Sequence, residues 1–360
     1  MGRMEFIALM AMMFATIAFS IDAMLPALDD IALELSPEEP TLAALIMTSF
    51  FLGMGAGTFV AGPLSDAYGR RTMMFFGAAL YSSAAAVAWM SSSLEVMFAA
   101  RFIQGIGASG PRVVCIAIIR DLYSGREMAR ILSIVMMIFT IVPAFAPALG
   151  VAIIHLAGWR AIFAAFIAFS LISALWLGFR LPETLPYQSR RPMRFRLIFD
   201  SVKEMFSHPV VCLSILIQTL MMGMLFSLLA MIQPIYAQVF DKAESFPFWF
   251  GGIALTSAAA SLLNAMLVMR LGMRKLITVA LTIQVVLSSL VLISSKTSGA
   301  PVFAIFAVWQ AYVFFQAGLT VGNLNAIAME PMGHIAGMAA SVIGAVSTAV
   351  SYTHLRAHET

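Results

Sequence analysis

Long apolar runs recur along the whole chain, and they limit the folds that it can adopt. A helix that crosses the hydrocarbon core of a bilayer needs about 20 mostly apolar residues. Hydrophobic residues make up 61% of the 360 residues and charged residues 11%, whereas soluble domains are about 45–50% apolar and about 25% charged. The sequence therefore predicts an all-α integral membrane protein. Eleven runs lie near 5–28, 41–61, 74–92, 96–118, 130–152, 160–179, 210–233, 247–269, 276–295, 301–325 and 335–351.

A polar stretch divides the runs into a group of six and a group of five. We predict an N-terminal six-helix bundle at 1–180, a cytoplasmic linker at 181–208 and a C-terminal bundle at 209–350. The first run is too long for the apolar part of a signal peptide, so it is interpreted as a membrane helix. The linker is basic, with Arg190, Arg191, Arg194, Arg196 and Lys203.

The last ten residues, SYTHLRAHET, are abruptly polar. They are too polar to form the twelfth helix that a repeat of six requires. We expect residues 351–360 to be a non-native tail and the twelfth helix to be missing.

Lysine and arginine are distributed unevenly between alternate loops. With the N-terminus placed in the cytoplasm, the loops on that side carry most of the basic residues, as the positive-inside rule requires. The first opposite loop is acidic, with Asp29, Asp30, Glu34, Glu38 and Glu39. The net charge of +3 comes from short loops and forms no basic stripe, so we expect no nucleic-acid partner.

The two halves share a short loop pattern. GPLSDAYGRR at 62–71 follows the second run, and RLGMRKL at 270–276 follows the second run of the other half. Each has a glycine followed by paired basic residues. Matching positions of this kind indicate an internal duplication, which is how many transporters are built.

The charges at 62–71 have two readings. Arg70 and Arg71 anchor a cytoplasmic hairpin under the positive-inside rule. That rule does not explain Asp66, Gly62 or Gly69. Glycines allow close approach of another helix, and a carboxylate is stabilised at a helix N-terminus. The spacing therefore favours a latch between neighbouring helices.

Three charged residues, Asp22, Arg101 and Arg112, fall inside apolar runs. Charges at membrane depth are costly and seldom face lipid. Asp22 is interpreted as a proton-coupling carboxylate, with a static Asp–Arg pair between the first and fourth helices as the alternative. Arg101 is interpreted as either structural or functional, with similar weight. Arg112 either lines a cavity or extends its side chain towards the membrane surface. Gln104 shares a helix face with Arg101 and is a further cavity candidate.

Several chemical signatures are missing from the sequence. There is no phosphate-binding loop of the form GxxxxGK[ST] and no HExxH or paired-cysteine pattern for a metal. Cys115 and Cys212 both lie inside apolar runs, where lone cysteines act as small hydrophobes. We expect no cofactor beyond a proton gradient and no enzymatic activity, although a membrane enzyme or a sensor is kept as a rival class.

Several motifs resemble one family. GPLSDAYGRR resembles the loop 2–3 signature of the major facilitator superfamily, and RFIQGIGASG at 101–110 resembles its fourth-helix motif. SIDAMLPAL at 20–28 and PAFAPALG at 143–150, followed by GWRAIF at 158–163, resemble the Bcr/CflA branch of drug:proton antiporters. The resemblance runs from about residue 16 to residue 163.

This resemblance implies a fold of two pseudo-symmetric six-helix bundles and a role for the 62–71 residues. It implies that Asp66 faces the start of the eleventh helix near 333–337 and that Arg70 pairs with Asp121. The resulting gate closes the cytoplasmic side and breaks when the carrier opens inward. Ala67 replaces an arginine that is usual in the family, which removes one ionic contact. Ala146 replaces a usual glycine in the fifth-helix motif, which bears on the direction of transport.

The resemblance implies proton-coupled export of small amphipathic or cationic drugs by antiport. The alternative is a carrier on the same fold for an anionic or neutral metabolite, which would bind Arg101 and Arg112. The expected partners are the small-molecule substrate, protons and the lipid bilayer. We expect a monomer in a bacterial-type inner membrane.

Overall fold

The computed structural model describes residues 1–191, 195–242, 245–298 and 302–356. Pro192 and Arg194 of the predicted linker and the last four residues of the predicted tail lie outside this part. The described residues form α-helices joined by short turns, with no strand among them. The helices are α1 Arg3–Asp22, α2 Leu28–Leu35, α3 Leu45–Tyr68, α4 Arg70–Trp89, α5 Leu94–Leu122, α6 Gly125–Ala157, α7 Ala161–Arg180, α8 Phe195–Ser207, α9 Pro209–Pro234, α10 Phe246–Leu271, α11 Met273–Ser298, α12 Phe303–Met329 and α13 Ala336–Arg356.

Each of the eleven apolar runs has a helix in the structure. Among the described residues, eight helices are long and apolar enough to cross a membrane, and a ninth joins them if 199–207 and 209–225, which meet at 90°, form one bent span. Two shorter apolar helices cover Phe145–Ala157 and Gly333–Val346. The all-α membrane fold is confirmed, and the number of eleven spans stays a prediction.

The chain packs into two compact units. Unit 1 consists of Met1–Leu122, Ile141–Glu204 and Met332–Ala345, and unit 2 consists of Tyr123–Thr140, Met205–Pro331 and Val346–Thr360, as far as these ranges are described. Unit 1 therefore combines α1 to α5, the second half of α6, α7 and most of α8 with the first ten residues of α13. The predicted bundle boundaries at 180 and 208 stay a prediction.

Close helix contacts in unit 1 depend on glycine. A Cβ at Gly53 of α3 would overlap the carbonyl oxygen of Phe102 on α5, and a Cβ at Gly105 would overlap that of Phe50. Small residues allow helix backbones to approach in this way in membranes. The RFIQGIGASG segment, which contains Gly105, is therefore a packing surface that holds α3 and α5 together.

In unit 2, α12 packs against α9, α10 and α11. Asn264 of α10 and Asn323 of α12 are fully buried and exchange amide hydrogen bonds of 2.7 and 3.2 Å. Asn264 also donates to the Ser133 hydroxyl on α6 at 2.7 Å. Interhelical hydrogen bonds between polar side chains stabilise packing where no water is present to replace them.

Candidate functional site

Asp66 lies in the last turn of α3 and closes the start of α13. Its Oδ1 accepts the backbone N–H of Gly337 at 3.0 Å and its Oδ2 accepts that of Met338 at 2.8 Å. The first N–H groups of a helix have no partner within the helix, and the helix dipole favours a negative charge there. Asp66 is 6% exposed, so little water competes for these bonds. The carboxylate contacts α13 where the resemblance places it.

Arg70 joins Asp66 to a second carboxylate. Its Nη1 lies 2.6 Å from Asp66 Oδ1, and its Nε lies 3.0 Å from Asp121 Oδ2 at the end of α5. Arg70 is 1% exposed, and buried charges of this kind are tolerated only when they are paired and hydrogen-bonded. The pairing of Arg70 with Asp121, which the resemblance implies, is present in the structure.

Gly62 provides the surface on which α13 rests. Its N–H donates to Ser341 Oγ at 2.9 Å, and Ser341 in turn donates to the carbonyl oxygen of Thr58 at 2.6 Å. A Cβ at Gly62 would overlap the carbonyl oxygen of Gly337. The glycine is required by this close contact, because a larger residue would separate α3 from α13.

Gly69 and Arg71 shape the turn that follows. Gly69 has φ of +99° and ψ of 153°, a backbone region that is essentially restricted to glycine. The Arg71 side chain donates to the carbonyl oxygen of Gly178 on α7 and lies 5.7 Å from the centre of the Phe75 ring. Arg71 therefore anchors α4 to α7 and takes no part in the ion pairs of Asp66.

Arg101 is fully buried in the third turn of α5. Its Nη1 donates to Gln104 Oε1 at 2.8 Å, and its Nη2 donates to the carbonyl oxygen of Ser20 on α1 at 3.1 Å. Its guanidinium carbon lies 4.4 Å from the centre of the Phe50 ring. No described carboxylate lies within the 4.0 Å ion-pair limit of Arg101. The cation is therefore held by a carbonyl, an amide and an aromatic face.

Asp22 is the last residue of α1 and is half-buried. It makes no ion pair with the residues that the structure describes, so the static Asp22–Arg101 pair weighed from the sequence is not formed. Arg101 reaches the same end of α1 through the Ser20 carbonyl. The Ser20 hydroxyl also shares a short hydrogen bond with Tyr81 of α4. Arg112 lies eleven residues beyond Arg101 on α5 and is half-buried.

The sequence matches a family model over most of its length. The model is that of the Major Facilitator Superfamily, and it matches residues 6–352. The chain belongs to the Major Facilitator Superfamily. Members of this superfamily are transporters, so the chain is a multi-pass membrane protein of a transporter family and the assignment from the 62–71 motif is confirmed.

Two relatives have names that refer to drug resistance. The chain is 29% identical over 335 residues to a bicyclomycin resistance protein homologue of Haemophilus influenzae, a match that covers 92% of this chain and 83% of the relative. It is 36% identical over 169 residues to a chloramphenicol resistance protein of Pseudomonas aeruginosa, which covers 46% of this chain and 40% of the relative. The resemblance to the Bcr/CflA branch is confirmed.

Solved structures of the superfamily share the fold. The proton:xylose symporter XylE superimposes with a TM-score of 0.72 at 15% identity, over 98% of this chain and 88% of that one. The Escherichia coli fucose:proton symporter FucP gives a TM-score of 0.73 at 15% identity, over 96% and 89%. At this level of identity the likeness establishes the fold alone.

Arg70, Arg71 and Asp121 have two further partners that the sequence interpretation missed. Glu183 accepts the backbone N–H groups of Arg70 at 2.9 Å and of Arg71 at 3.1 Å, at the start of α4. Thr184 donates to Asp121 Oδ2 at 2.9 Å. Both residues fall within the predicted linker at 181–208. The signal for Glu183 was an isolated acidic residue in a basic stretch, directly after the sixth apolar run.

Within the described ranges, no group of three or more His, Cys, Asp or Glu side chains is arranged to hold a metal ion. Cys115 is buried and Cys212 is half-buried, and each is a free thiol. The candidate site therefore rests on the charged residues around Asp66 and Arg101.

Proposed function

We propose that the chain exports small amphipathic or cationic compounds in exchange for protons. Two bundles alternate in access around a central cavity, as in other carriers built from repeats. The names of the bicyclomycin and chloramphenicol resistance relatives support a drug as the exported compound. Their shared branch supports antiport as the mode of coupling.

The observation that carries the coupling step is the environment of Asp22. This carboxyl group is half-buried at the end of α1 and makes no ion pair among the described residues. A carboxylate without a fixed cation is free to take a proton or to face a cationic substrate, but not both at once. Binding of the cation then releases the proton to solvent, and uptake of a proton releases the cation.

Arg101 tunes this exchange without binding Asp22 directly. Its charge is fixed near α1 by the Ser20 carbonyl at 3.1 Å and by Gln104 at 2.8 Å. A nearby positive charge favours the ionised carboxylate, since opposite charges attract strongly in a low-dielectric interior. Arg112 is assigned to the cavity wall.

The gate consists of Asp66, Arg70 and Asp121, with Gly62, Gly69 and Arg71 shaping the surrounding backbone. In the closed form, Asp66 holds the first N–H groups of α13. Opening towards the cytoplasm requires these bonds and the Gly62 contact to break. Protonation of Asp22 and loss of the gate contacts each shift the populations of the carrier's conformations.

The setting of this activity follows from the same proposal. The carrier acts in a bacterial inner membrane with its N-terminus in the cytoplasm, because the basic loops then lie on the cytoplasmic side. It works as a monomer on a small-molecule substrate, with the proton gradient as the energy source and no other cofactor. The carrier is surrounded by the lipid bilayer, and it has no nucleic-acid partner.

A second function is favoured by one observation. Arg101 is a fully buried cation with no described carboxylate within the 4.0 Å ion-pair limit. A carboxylate on a metabolite would form an ion pair with Arg101. A carrier for an anionic metabolite on the same fold, with Arg101 and Arg112 as its binding residues, is therefore the alternative. Export and uptake are both open to such a carrier, and a neutral metabolite is a further form of it.

Proton release on substrate binding tests the first proposal. Tetraphenylphosphonium is added to the purified protein in lightly buffered neutral solution, and the released protons are measured with a pH-sensitive dye. We expect release from the unsubstituted chain and none from Asp22→Asn. Asp29→Asn is the matched control, because Asp29 is an exposed carboxylate on α2, seven residues further along.

The possible results separate the two functions. Release that persists in Asp22→Asn would place the proton on another group and reject the assignment. Binding without release would reject antiport. If the cation does not bind and a small carboxylate binds in an Arg101-dependent manner, the metabolite carrier replaces the drug exporter.

A further inference from the structure

Helix α8 lies within the predicted linker and turns sharply away from the helix that follows it. The segments 199–207 and 209–225 meet at 90°. The second segment is part of α9, an apolar helix of 26 residues. If α9 runs through the bilayer, a helix perpendicular to it runs along the plane of the membrane surface. Short amphipathic helices in this orientation are typical of binding at the lipid headgroups.

The two faces of α8 differ in exposure. Ser201 and Met205 are 5% and 0% exposed, so this face is covered by protein. Phe199 and Phe206 lie seven residues apart on another face and are 70% and 47% exposed. Residues with this spacing lie one above the other on a helix. Lys203 lies between them in the sequence and is also exposed.

A side-chain contact in unit 1 orients α8 about its axis. Glu204 Oε1 lies 2.9 Å from His334 Nε2, in the turn that precedes α13. Glu204 projects well away from Phe199 around the helix, because five residues correspond to about 500° of rotation. With Glu204 held at His334, the phenylalanine face is directed away from this contact.

The charge around α8 identifies what covers the exposed phenylalanines. Residues 190–204 carry five basic residues and two acidic ones, Asp200 and Glu204, and Glu204 is directed towards His334. Clusters of lysine and arginine next to a membrane helix are attracted to anionic lipids. We propose that α8 is an interfacial helix that inserts Phe199 and Phe206 into the bilayer surface and binds anionic lipid headgroups through Lys203 and its neighbours. This site is separate from the gate and from Asp22, and it does not depend on the substrate or on the direction of transport.

Spin-label depth measurements test this proposal. A nitroxide is attached at Phe199→Cys or Phe206→Cys in the full chain, with Cys115 and Cys212 replaced by Ala. The protein is reconstituted in phosphatidylcholine vesicles with or without phosphatidylglycerol. Tyr187→Cys is the control, because Tyr187 is 80% exposed in the same linker but lies outside α8. Collision with oxygen reports lipid, and collision with a water-soluble nickel complex reports solvent.

We expect labels at 199 and 206 to be accessible to oxygen and shielded from nickel, about 5–10 Å below the headgroups. The immersion is expected to be greater with phosphatidylglycerol, and the label at 187 is expected to stay accessible to nickel. Lys203→Gln should shift the ratio of immersed to exposed label about fivefold towards exposed, the effect of one basic residue near an anionic surface. Lys275→Gln, which replaces an exposed lysine in the first turn of α11, should not.

Three results would overturn the proposal. Nickel accessibility at 199 and 206 equal to that at 187 would place α8 in solvent. Shielding from both reagents would place the phenylalanines against protein. Equal immersion depth of the two labels in both lipid mixtures would show that α8 does not bind anionic headgroups. Quenching of Phe199→Trp by brominated lipid, in the chain with both cysteines intact, repeats the test without the cysteine replacements.

Discussion

The chain contains two hairpins with the same backbone and different chemistry. Gly69 joins α3 to α4 with φ of +99° and ψ of 153°, and Gly272 joins α10 to α11 with φ of +82° and ψ of 155°. Both conformations belong to a region that only glycine adopts readily. The matching backbone agrees with the internal duplication that the sequence indicates, because each glycine precedes the same kind of basic loop.

The side chains around the two glycines have diverged. When Gly69 is aligned with Gly272, Met269 takes the place of Asp66 and Met273 takes the place of Arg70. The first hairpin has buried ion pairs from Arg70 to Asp66 and Asp121. In the second, the Met269 carbonyl oxygen accepts a hydrogen bond from Arg126 of α6 at 3.0 Å. The repeat preserved the turn, and the charged latch belongs to the first hairpin.

The largest expected effect comes from giving the first hairpin the residue of the second. Arg70→Met leaves the Asp66 and Asp121 carboxylates without their shared cation. Removal of one partner of a buried pair costs about 3–5 kcal/mol, because the remaining charge stays desolvated. The unfolding free energy of the purified protein in detergent measures this change.

The control for that variant is Arg274→Met. Arg274 is the aligned partner of Arg71 and is exposed, so its replacement is expected to change stability by less than about 0.5 kcal/mol. Equal stability of the two variants would show that the buried ion pairs contribute nothing to the difference between the hairpins.

An intermediate effect is expected where the helix contact is closest. The second hairpin has Ala265 in the position of Gly62. Gly62→Ala introduces a Cβ that overlaps the Gly337 carbonyl oxygen and the Ser341 hydroxyl, and overpacking of this kind costs about 1–3 kcal/mol. Thermal unfolding should show the loss, and transport assays should show a gate that closes less well.

Gly55→Ala is the matched control on the same helix. Gly55 has no atom within 4 Å of an added Cβ, and alanine is the better helix former, so we expect no loss of stability. If Gly62→Ala is as stable as Gly55→Ala, the contact of α3 with α13 is looser than the structure indicates.

The smallest effect is expected in the second hairpin. Arg126→Met removes the hydrogen bond to the Met269 carbonyl, and an exposed bond of this type contributes less than about 1 kcal/mol. We compare the unfolding free energy of this variant with that of Arg130→Met, which replaces another exposed arginine on α6. A loss as large as that of Arg70→Met would mean that the second hairpin also depends on a latch.

Sequence reasoning found most of the charged site but not all of its partners. Asp66, Arg70 and Asp121 were recognised from a motif, and their contacts match it. Glu183, Thr184 and Ser341 were missed, because each is an ordinary polar residue until the chain brings it near the gate. The Asp22–Arg101 pair was weighed as an alternative and is not formed, since Arg101 binds the Ser20 carbonyl instead.

The sequence by itself determined the class of this protein. Apolar runs of about 20 residues require membrane helices, since only helices and closed barrels satisfy backbone hydrogen bonds in lipid, and the motif at 62–71 identified the family. Only the tertiary structure decided which polar groups meet. Gly337 lies 271 residues from Asp66 along the chain, and no local pattern specifies a contact over that separation. Such contacts depend on how whole helices pack, which is decided by the glycines and small residues that let backbones approach.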